Sequence, residues 1–291
     1  MTLAVFDIGG TAVKYGIWSN DQIQHQDKFK TPNSWEQMKE EISAVYATLQ
    51  EKTSEKFRGA AFSCPGAVDA KAGVIHGFSA VPYIHNFPIQ SELTQLLGVP
   101  VSIENDANCA ALAEVSYGAA KDVDNAIFIV IGSGIGGAVI VNKELIKGKN
   151  LFGGEFGFML LDDDSSFSDL ASPVRAANRY AVELGLSEGA ISGKELFMRA
   201  DQADPVAMRH VEGLKKALTR GIHTLLVALN PDKVVIGGAI SAREDLITEI
   251  TERIQHLLNK TNATDVALDL VPCQYNNDAN LIGAVVAFSK K

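Results

Sequence analysis

The stretch Leu3-Ala4-Val5-Phe6-Asp7-Ile8-Gly9-Gly10-Thr11 decides how the rest of the chain reads. A short apolar run, Leu3–Asp7, ends on an acid, and Gly9, Gly10 and Thr11 follow. The next segment, Ala12–Ser19, carries Val13, Tyr15, Ile17 and Trp18. Two β-type runs around a glycine turn predict a hairpin. The pattern returns downstream, where Ala126–Ile131 is a continuous apolar run, Gly132–Gly137 is the turn and Ala138–Val141 is a second strand. This internal echo predicts two related α/β domains, with a change near Gly118–Asp124.

Between and beyond the hairpins the periodicity changes. Segment Ser34–Glu51 has apolar residues at Trp35, Met38, Ile42, Val45 and Leu49, steps of three and four that predict an amphipathic helix. Gly59–Ser63 is a short apolar run closed by Pro65-Gly66, and Val99–Ile103 is a strand leading into Glu104-Asn105-Asp106. Ala107–Tyr117 then reads as a helix stopped by Gly118. After Gly157 the chain is mainly helical to about Asn230. Pro231 ends a helix, Val234–Ile236 is a strand, and Gly237-Gly238 follows. Ala279–Ser289 reads as a helix capped by Asn277 or Asp278.

A chain of 291 residues suggests about two domains at roughly 150 residues each. Hydrophobic residues are 46% and charged residues 21%, which excludes a disordered or fibrous chain. The net charge of -9, with no basic run, argues against nucleic acid or an anionic membrane as partner. Three separated cysteines, Cys64, Cys109 and Cys273, form neither a disulfide framework nor a CxxC metal spacing, and a reducing cytoplasm is the expected setting. The N-terminus has an acid by position 7 and no basic region, so no signal peptide is expected. The stretch Ala126–Asn142 is broken by glycines and shorter than the roughly 20 residues of a membrane helix.

Gly132-Ser133-Gly134-Ile135-Gly136-Gly137 satisfies GxGxxG, but a dinucleotide site needs a helix after the glycines. A β-branched segment follows instead, which disfavours an NAD-dependent oxidoreductase. A phosphate-binding hairpin remains, since glycine lets backbone N–H groups approach a phosphate and the Thr11 and Ser133 hydroxyls add donors. Either turn by itself is more often a plain tight turn. Two of them, with Asp7 at a strand end and Lys14 just beyond, favour phosphate. Asp7 is then placed to orient Mg²⁺ through water. Gly237-Gly238 either lets a purine lie against the backbone or packs helices. Glu104-Asn105-Asp106 lies at a strand's C-terminal end, where open α/β sheets bind ligands, and it also suits a helix N-cap. Phosphoryl transfer to an alcohol needs a carboxylate to take the hydroxyl proton, which makes Asp106 the candidate. A helix N-terminus favours the ionised acid, so Asp106 would be a weak base that orients the hydroxyl and takes the proton late.

Together these pieces resemble the ROK family (repressors, open reading frames, sugar kinases) of the actin-like ATPase superfamily. The resemblance runs through Asp7-Ile8-Gly9-Gly10-Thr11 with Lys14, the SCPGAVD stretch from Ser63 to Asp69, and Glu104-Asn105-Asp106-Ala107-Asn108. It continues through Gly132–Gly137, Gly154-Glu155-Phe156-Gly157, Asn230-Pro231 with Val234–Gly238, and Asn277-Asp278-Ala279. It implies a two-domain α/β fold of the actin-like ATPase (ribonuclease H-like) kind with an interdomain cleft. Residues 1–117 would form the N-terminal domain, completed by the helix 279–291. Residues 118–278 would form a second α/β domain with nucleotide-binding and dimerisation helices. It also implies ATP and Mg²⁺, a homodimer, Asp106 as base, and sugar hydroxyls held by Asn105, Glu155 and Asn86. Gly66 would contribute its backbone to the pocket. The ATP phosphates would lie on Gly9, Gly10, Thr11, Gly132, Ser133, Gly134 and Gly136, with domain closure excluding water.

Two departures from the family pattern carry information. Family repressors have a helix-turn-helix module before the first turn, and here that turn starts at position 7, so no DNA binding is expected. The family's zinc site needs a His soon after GE-x-G and a Cys-rich cluster. Here Phe158 stands at the His position and Asp162–Val174 holds no cysteine, so no zinc is expected. In zinc-bearing relatives those groups face the anomeric end of the sugar, so their loss would open that end, with Phe158 offering an apolar face. The acidic run Asp162-Asp163-Asp164 falls there and reads as a solvated loop. The pattern resembles the family's β-glucoside kinases, which phosphorylate the 6-hydroxyl of the non-reducing glucose of cellobiose and related glucosides. A kinase for a free hexose such as glucose, allose or N-acetylmannosamine is the alternative. A non-catalytic sugar sensor is a further one, disfavoured by the intact Asp7, Asp106 and both turns.

Overall fold

The computed structural model describes residues 1–275 and 278–290. The chain forms two compact units. The first comprises Met1–Gly118, Gly148–Phe152 and the C-terminal helix, and the second Ala119–Lys147 and the chain from Gly153 to that helix. The excursion Gly148–Phe152 thus groups with the first unit, although a continuous second domain from 118 to 278 was expected from the sequence.

In the first unit the chain runs β1 (Leu3–Ile8), β2 (Ala12–Ser19), β3 (Gln22–Lys30), α1 (Trp35–Glu51), β4 (Ala60–Cys64), β5 (Ala67–Asp69), β6 (Val74–His76), α2 (Ile89–Leu97), β7 (Val101–Asn105) and α3 (Asp106–Ser116). The sheet order is β3-β2-β1-β4-β7. The first hairpin is antiparallel, and β1, β4 and β7 run parallel. Every residue of β1 is buried, as expected for a central strand covered on both faces. Phe6 on β1 lies level with Phe62 on β4, and the rings stack at 4.7 Å. Helix α1 starts where Ser34 accepts from the Gln37 amide, and it buries Trp35, Met38, Ile42 and Leu49. Its apolar stripe is the one the sequence spacing marks.

The second unit continues with β8 (Ala126–Ile131), β9 (Ile135–Val141), β10 (Glu144–Leu145), α4 (Phe167–Ala171), α5 (Pro173–Glu183), α6 (Gly193–Asp201), α7 (Pro205–Leu229), β11 (Lys233–Gly237), α8 (Glu244–Lys260) and β12 (Leu270–Pro272). Its sheet order is β10-β9-β8-β11-β12. The succession is the same as in the first unit, two antiparallel pairings followed by two parallel ones. The internal echo in the sequence is therefore a repeat of topology. Helix α7 stops at Asn230, which takes the left-handed conformation at φ 42°, with Pro231 beyond it.

The last helix, α9 (Ala279–Ser289), belongs to the first unit and packs on α3. Gly283 permits that approach, because a Cβ there would collide with the Cys109 carbonyl. Asp278 stands at the N-cap position of α9 without a capping side-chain bond, and the other cap expected, Asn277, lies outside the described residues.

Candidate active site

In the first unit the turn between β1 and β2 is Gly9-Gly10-Thr11. Gly9 N–H donates to the Ala12 carbonyl at 3.1 Å, and the Thr31 hydroxyl donates to the Gly9 carbonyl at 2.5 Å. Gly10 is pressed against Ala80, where a Cβ would stand 2.6 Å from the alanine methyl. Thr31 and Ala80 thus fix a turn whose sequence signal is only its glycines.

Asp7 is buried beneath this turn. Its Oδ1 accepts from Ser63 Oγ at 2.7 Å and from Asn280 Nδ2 at 3.0 Å. Lys14 Nζ lies 3.9 Å from Oδ2. Ser63 meets Asp7 because the two are register partners on β4 and β1. A single carboxylate, oriented through one oxygen by two neutral donors, fits a metal ion held mainly by water and phosphate oxygens. Among the described residues there is no group of three or more His, Cys, Asp or Glu side chains that could hold a metal ion directly.

The acid triplet closes β7. Asn105 Oδ1 accepts from the Asn108 amide, so Asn105 is the N-cap of α3. Asn105 Nδ2 reaches the Gly66 carbonyl at 2.9 Å and Asp106 Oδ1 at 3.0 Å. The capping and functional readings of the triplet therefore hold together: the cap is what positions Asp106. Asp106 Oδ1 also accepts from the Ala107 amide at 2.9 Å, which anchors the carboxylate at the helix start. Buried Glu104 steadies the group from behind by accepting from Asn105 N and Asn108 Nδ2. With both amide hydrogens of Asn105 so engaged, its remaining capacity toward a sugar hydroxyl is as an acceptor.

Gly66 has φ +101°, and a Cβ there would stand 2.7 Å from His85 Cε1. The His85 ring therefore lies on the glycine. It bridges Ser79 Oγ at 2.7 Å and the His76 carbonyl at 3.2 Å. Burial pushes its pKa down, against the opposing pull of the His76 carbonyl. A neutral ring donating through Nδ1 and accepting through Nε2 satisfies both contacts. Next to it Asn86 has φ 62° and donates its backbone N–H to the Ile75 carbonyl, leaving its side chain exposed. Cys64 and Cys109 are fully buried nearby, and burial first, then the surrounding carboxylates, raises both thiols. They pack as small hydrophobes.

The second unit holds the other group of sequence candidates. The turn between β8 and β9 is Gly132-Ser133-Gly134. It is shorter than the Gly132–Gly137 expected, because Gly136 and Gly137 pair within β9 against Val130 and Ile129. Gly136 thus has its backbone in the ladder and leaves the turn. Strand β9 follows the glycines, so the helix that a dinucleotide site requires is not there. Ser172, the N-cap of α5, donates to the Gly132 carbonyl at 2.8 Å, and Ser168 Oγ accepts from the Ile135 amide.

A cavity of about 480 Å³ opens beside this turn. Gly132 and Ser133 line it, with Pro173 at the start of α5 and Lys194 at the start of α6. The volume and the mixed apolar lining suit a nucleotide-sized ligand. Of the chain after β11 it is Ala239 and Ile240 that line the cavity, one step past the Gly237-Gly238 pair expected to meet a purine. Gly238, at φ +89°, brings the chain so close to β8 that a Cβ would collide with the Ile131 carbonyl. Gly237 ends β11, where a Cβ would make ordinary contacts. Phe197 and Arg243 also line the cavity and carried no signal in the sequence.

Glu155 is half-buried after Gly154, which needs φ +93° to pass Ala138. Burial raises the Glu155 carboxyl above the usual glutamate range. Phe158 is 68% exposed. Asp162–Asp164 are exposed, and the segment after them is organised by a capping box between Ser166 and Asp169, with Arg175 paired to Asp169.

Residues 3–291 match the ROK family. The chain belongs to the ROK family. A beta-glucoside kinase of Klebsiella pneumoniae is 32% identical over 297 residues, which cover 100% of this chain and 97% of that protein. A solved ROK family protein from Streptococcus pneumoniae TIGR4, in complex with sucrose, has 32% identity and a TM-score of 0.88, covering 100% of this chain and 98% of that one. A ROK family glucokinase from Streptomyces griseus, in complex with glucose and AMPPNP, has 26% identity and a TM-score of 0.79, covering 99% and 100%. This ROK chain is an ATP-dependent sugar kinase with the actin-like ATPase fold of the family. None of its described helices is long and apolar enough to cross a membrane.

Proposed function

We propose that this sugar kinase transfers the γ-phosphate of ATP to the 6-hydroxyl of the non-reducing glucose of a β-glucoside such as cellobiose. The observation that carries the chemistry is the Asp106 carboxylate, fixed at the start of α3 by Asn105 and the Ala107 amide. Asp106 orients the attacking hydroxyl and takes its proton as the new O–P bond forms and the bond to the ADP leaving oxygen breaks. The proton moves late, which suits a loose transition state. Asn86, Glu155 and the Gly66 backbone hold the other hydroxyls, and Asn105 positions both Gly66 and Asp106.

The glycine turns and Lys14 receive the phosphates, and the cavity beside Gly132 receives the nucleoside. Asp7 is the residue that would orient Mg²⁺ through water, and that ion would offset charge on the phosphate oxygens. Exposed Phe158, standing where a metal-bearing relative has His, supports an open, apolar anomeric side and hence a second ring or aglycone. The buried cysteines suit a cytoplasmic setting. Exposed Val182, Leu186 and Met208 on the second unit support a homodimer, which light scattering of the purified chain tests.

The second reading, a free-hexose kinase, draws on the 26% identity to the glucokinase. ADP release measured over cellobiose, gentiobiose, arbutin, glucose and N-acetylmannosamine separates the two. A β-glucoside is expected to lead in kcat/KM, and free glucose ahead of every β-glucoside overturns the substrate assignment.

A further inference from the structure

Two cations, Lys194 and Arg243, line the cavity beside Gly132, and they are committed differently. Arg243 is gripped in its own plane. Nη1 and Nη2 reach the two oxygens of Asp201 at 3.0 and 3.1 Å. Nε and Nη2 reach the two oxygens of Asp245 at 3.3 and 2.7 Å. Four of the five guanidinium hydrogens are thereby engaged by two carboxylates. Such a group has little left to offer a phosphate, because its donors are taken and its charge is more than offset. What it retains is a flat face. The guanidinium carbon lies over the Phe197 ring, 4.9 Å from its centre, and both side chains line the cavity. Lys194, by contrast, is exposed and has no ion pair among the described residues. It stands three positions before Phe197 on α6, on the same face of the helix.

We infer that Arg243 is a stacking platform for the nucleobase and not a phosphate ligand, the Asp201–Asp245 clamp fixing its plane against Phe197. A delocalised, weakly hydrated guanidinium held rigid stacks on a planar ring at little cost in side-chain freedom. The two carboxylates set a negative field around Arg243, which disfavours a phosphate group beside it. Arg243 is thus a specificity-determining residue for the phosphoryl donor. The inference rests on the reading of the cavity as the nucleotide site.

The test compares binding of ATP, adenosine and inorganic tripolyphosphate to the full chain, without sugar, by calorimetry or competition. Arg243→Ala and Arg243→Lys are each expected to weaken ATP and adenosine by roughly tenfold, the scale of one base-stacking contact. Tripolyphosphate binding is expected to stay unchanged. Arg243→Lys keeps the charge and loses the plane, so wild-type affinity for ATP in that variant overturns the platform. A loss of tripolyphosphate binding parallel to that of ATP overturns it as well. An unchanged affinity for the sugar shows that the variants fold. If the wild type binds tripolyphosphate as tightly as ATP and does not bind adenosine, the nucleotide reading of the cavity fails, and the platform with it.

Discussion

The two glycine hairpins share a topology and differ in chemistry. In each, a central strand ends on isoleucine, three residues turn, and the partner strand returns antiparallel. One step before that isoleucine, β1 has Asp7 and β8 has Val130. Their register partners are Lys14 and Gly136. The first hairpin therefore places a charged pair beneath its turn, where the second has an apolar residue opposite a glycine. A cavity lies beside the second turn, with its walls supplied by α5, α6 and the chain after β11. One repeat has been fitted to handle charge and the other to make room. That division suits phosphoryl transfer, which needs positioned charge at the reacting atoms and separate binding energy for the rest of the donor.

The largest effect expected from breaking this division is at the acceptor. Asp106→Asn is expected to lower kcat by about 10³- to 10⁴-fold, the upper range for general-base chemistry, with sugar affinity by calorimetry within a few-fold. An unchanged kcat removes Asp106 from the role. Asp7→Val makes the first hairpin resemble the second, and kcat is expected to fall about 10²-fold, the scale of one electrostatic contact in a transition state. ATP affinity changes little in that variant if the nucleoside is held by the second unit, whereas a parallel loss of ATP binding puts the two turns on an equal footing.

Gly238→Ala attacks the backbone that passes β8. The side chain would meet the Ile131 carbonyl at a positive φ, and a stability loss of about 2–4 kcal/mol is expected in denaturant titration. Glu155 supplies a pH test. Its pKa is raised by burial, so on acidification it takes up a proton at a higher pH than an ordinary glutamate. The anion accepts sugar hydroxyls better than the neutral acid. Sugar KM is therefore expected to climb by roughly tenfold as pH falls through that raised pKa, the worth of a hydrogen bond to a charged group. Glu155→Gln should flatten the profile, and a profile that keeps its acid limb assigns that limb to another group. The smallest effect belongs to Ser172→Ala, which removes the cap of α5 and the tie to Gly132. About 1 kcal/mol of stability is expected to go, read as a lowered melting temperature.

What was legible in the sequence followed a physical signal that acts over a few residues. The hairpins, α1, the Asn105 cap and α9 all announce themselves by local periodicity or turn chemistry. Gly136 reads as a turn residue in the sequence because glycine marks a turn and a close approach with the same letter, and only the pairing with Val130 separates the two. Strand β3 is not legible in the sequence, because it is almost wholly exposed and so carries no apolar alternation. Thr31, Asn280 and Arg243 were invisible for another reason. Each acts on a partner brought to it by the fold, and no spacing rule links Asn280 to Asp7 across 273 positions.

That last distance has a consequence for how the protein is made. The strand order of the first sheet is fully encoded by residue 105, yet the helix that packs on α3 and supplies Asn280 begins at Ala279. At a synthesis rate of about 5–20 residues per second, α3 waits on the order of ten seconds or more for its partner. During that interval the backbone around Cys109, destined for Gly283, has its neighbour missing, and Asp7 lacks one of its two hydrogen-bond donors. The first unit thus begins to fold before the second is synthesised and is completed only after it.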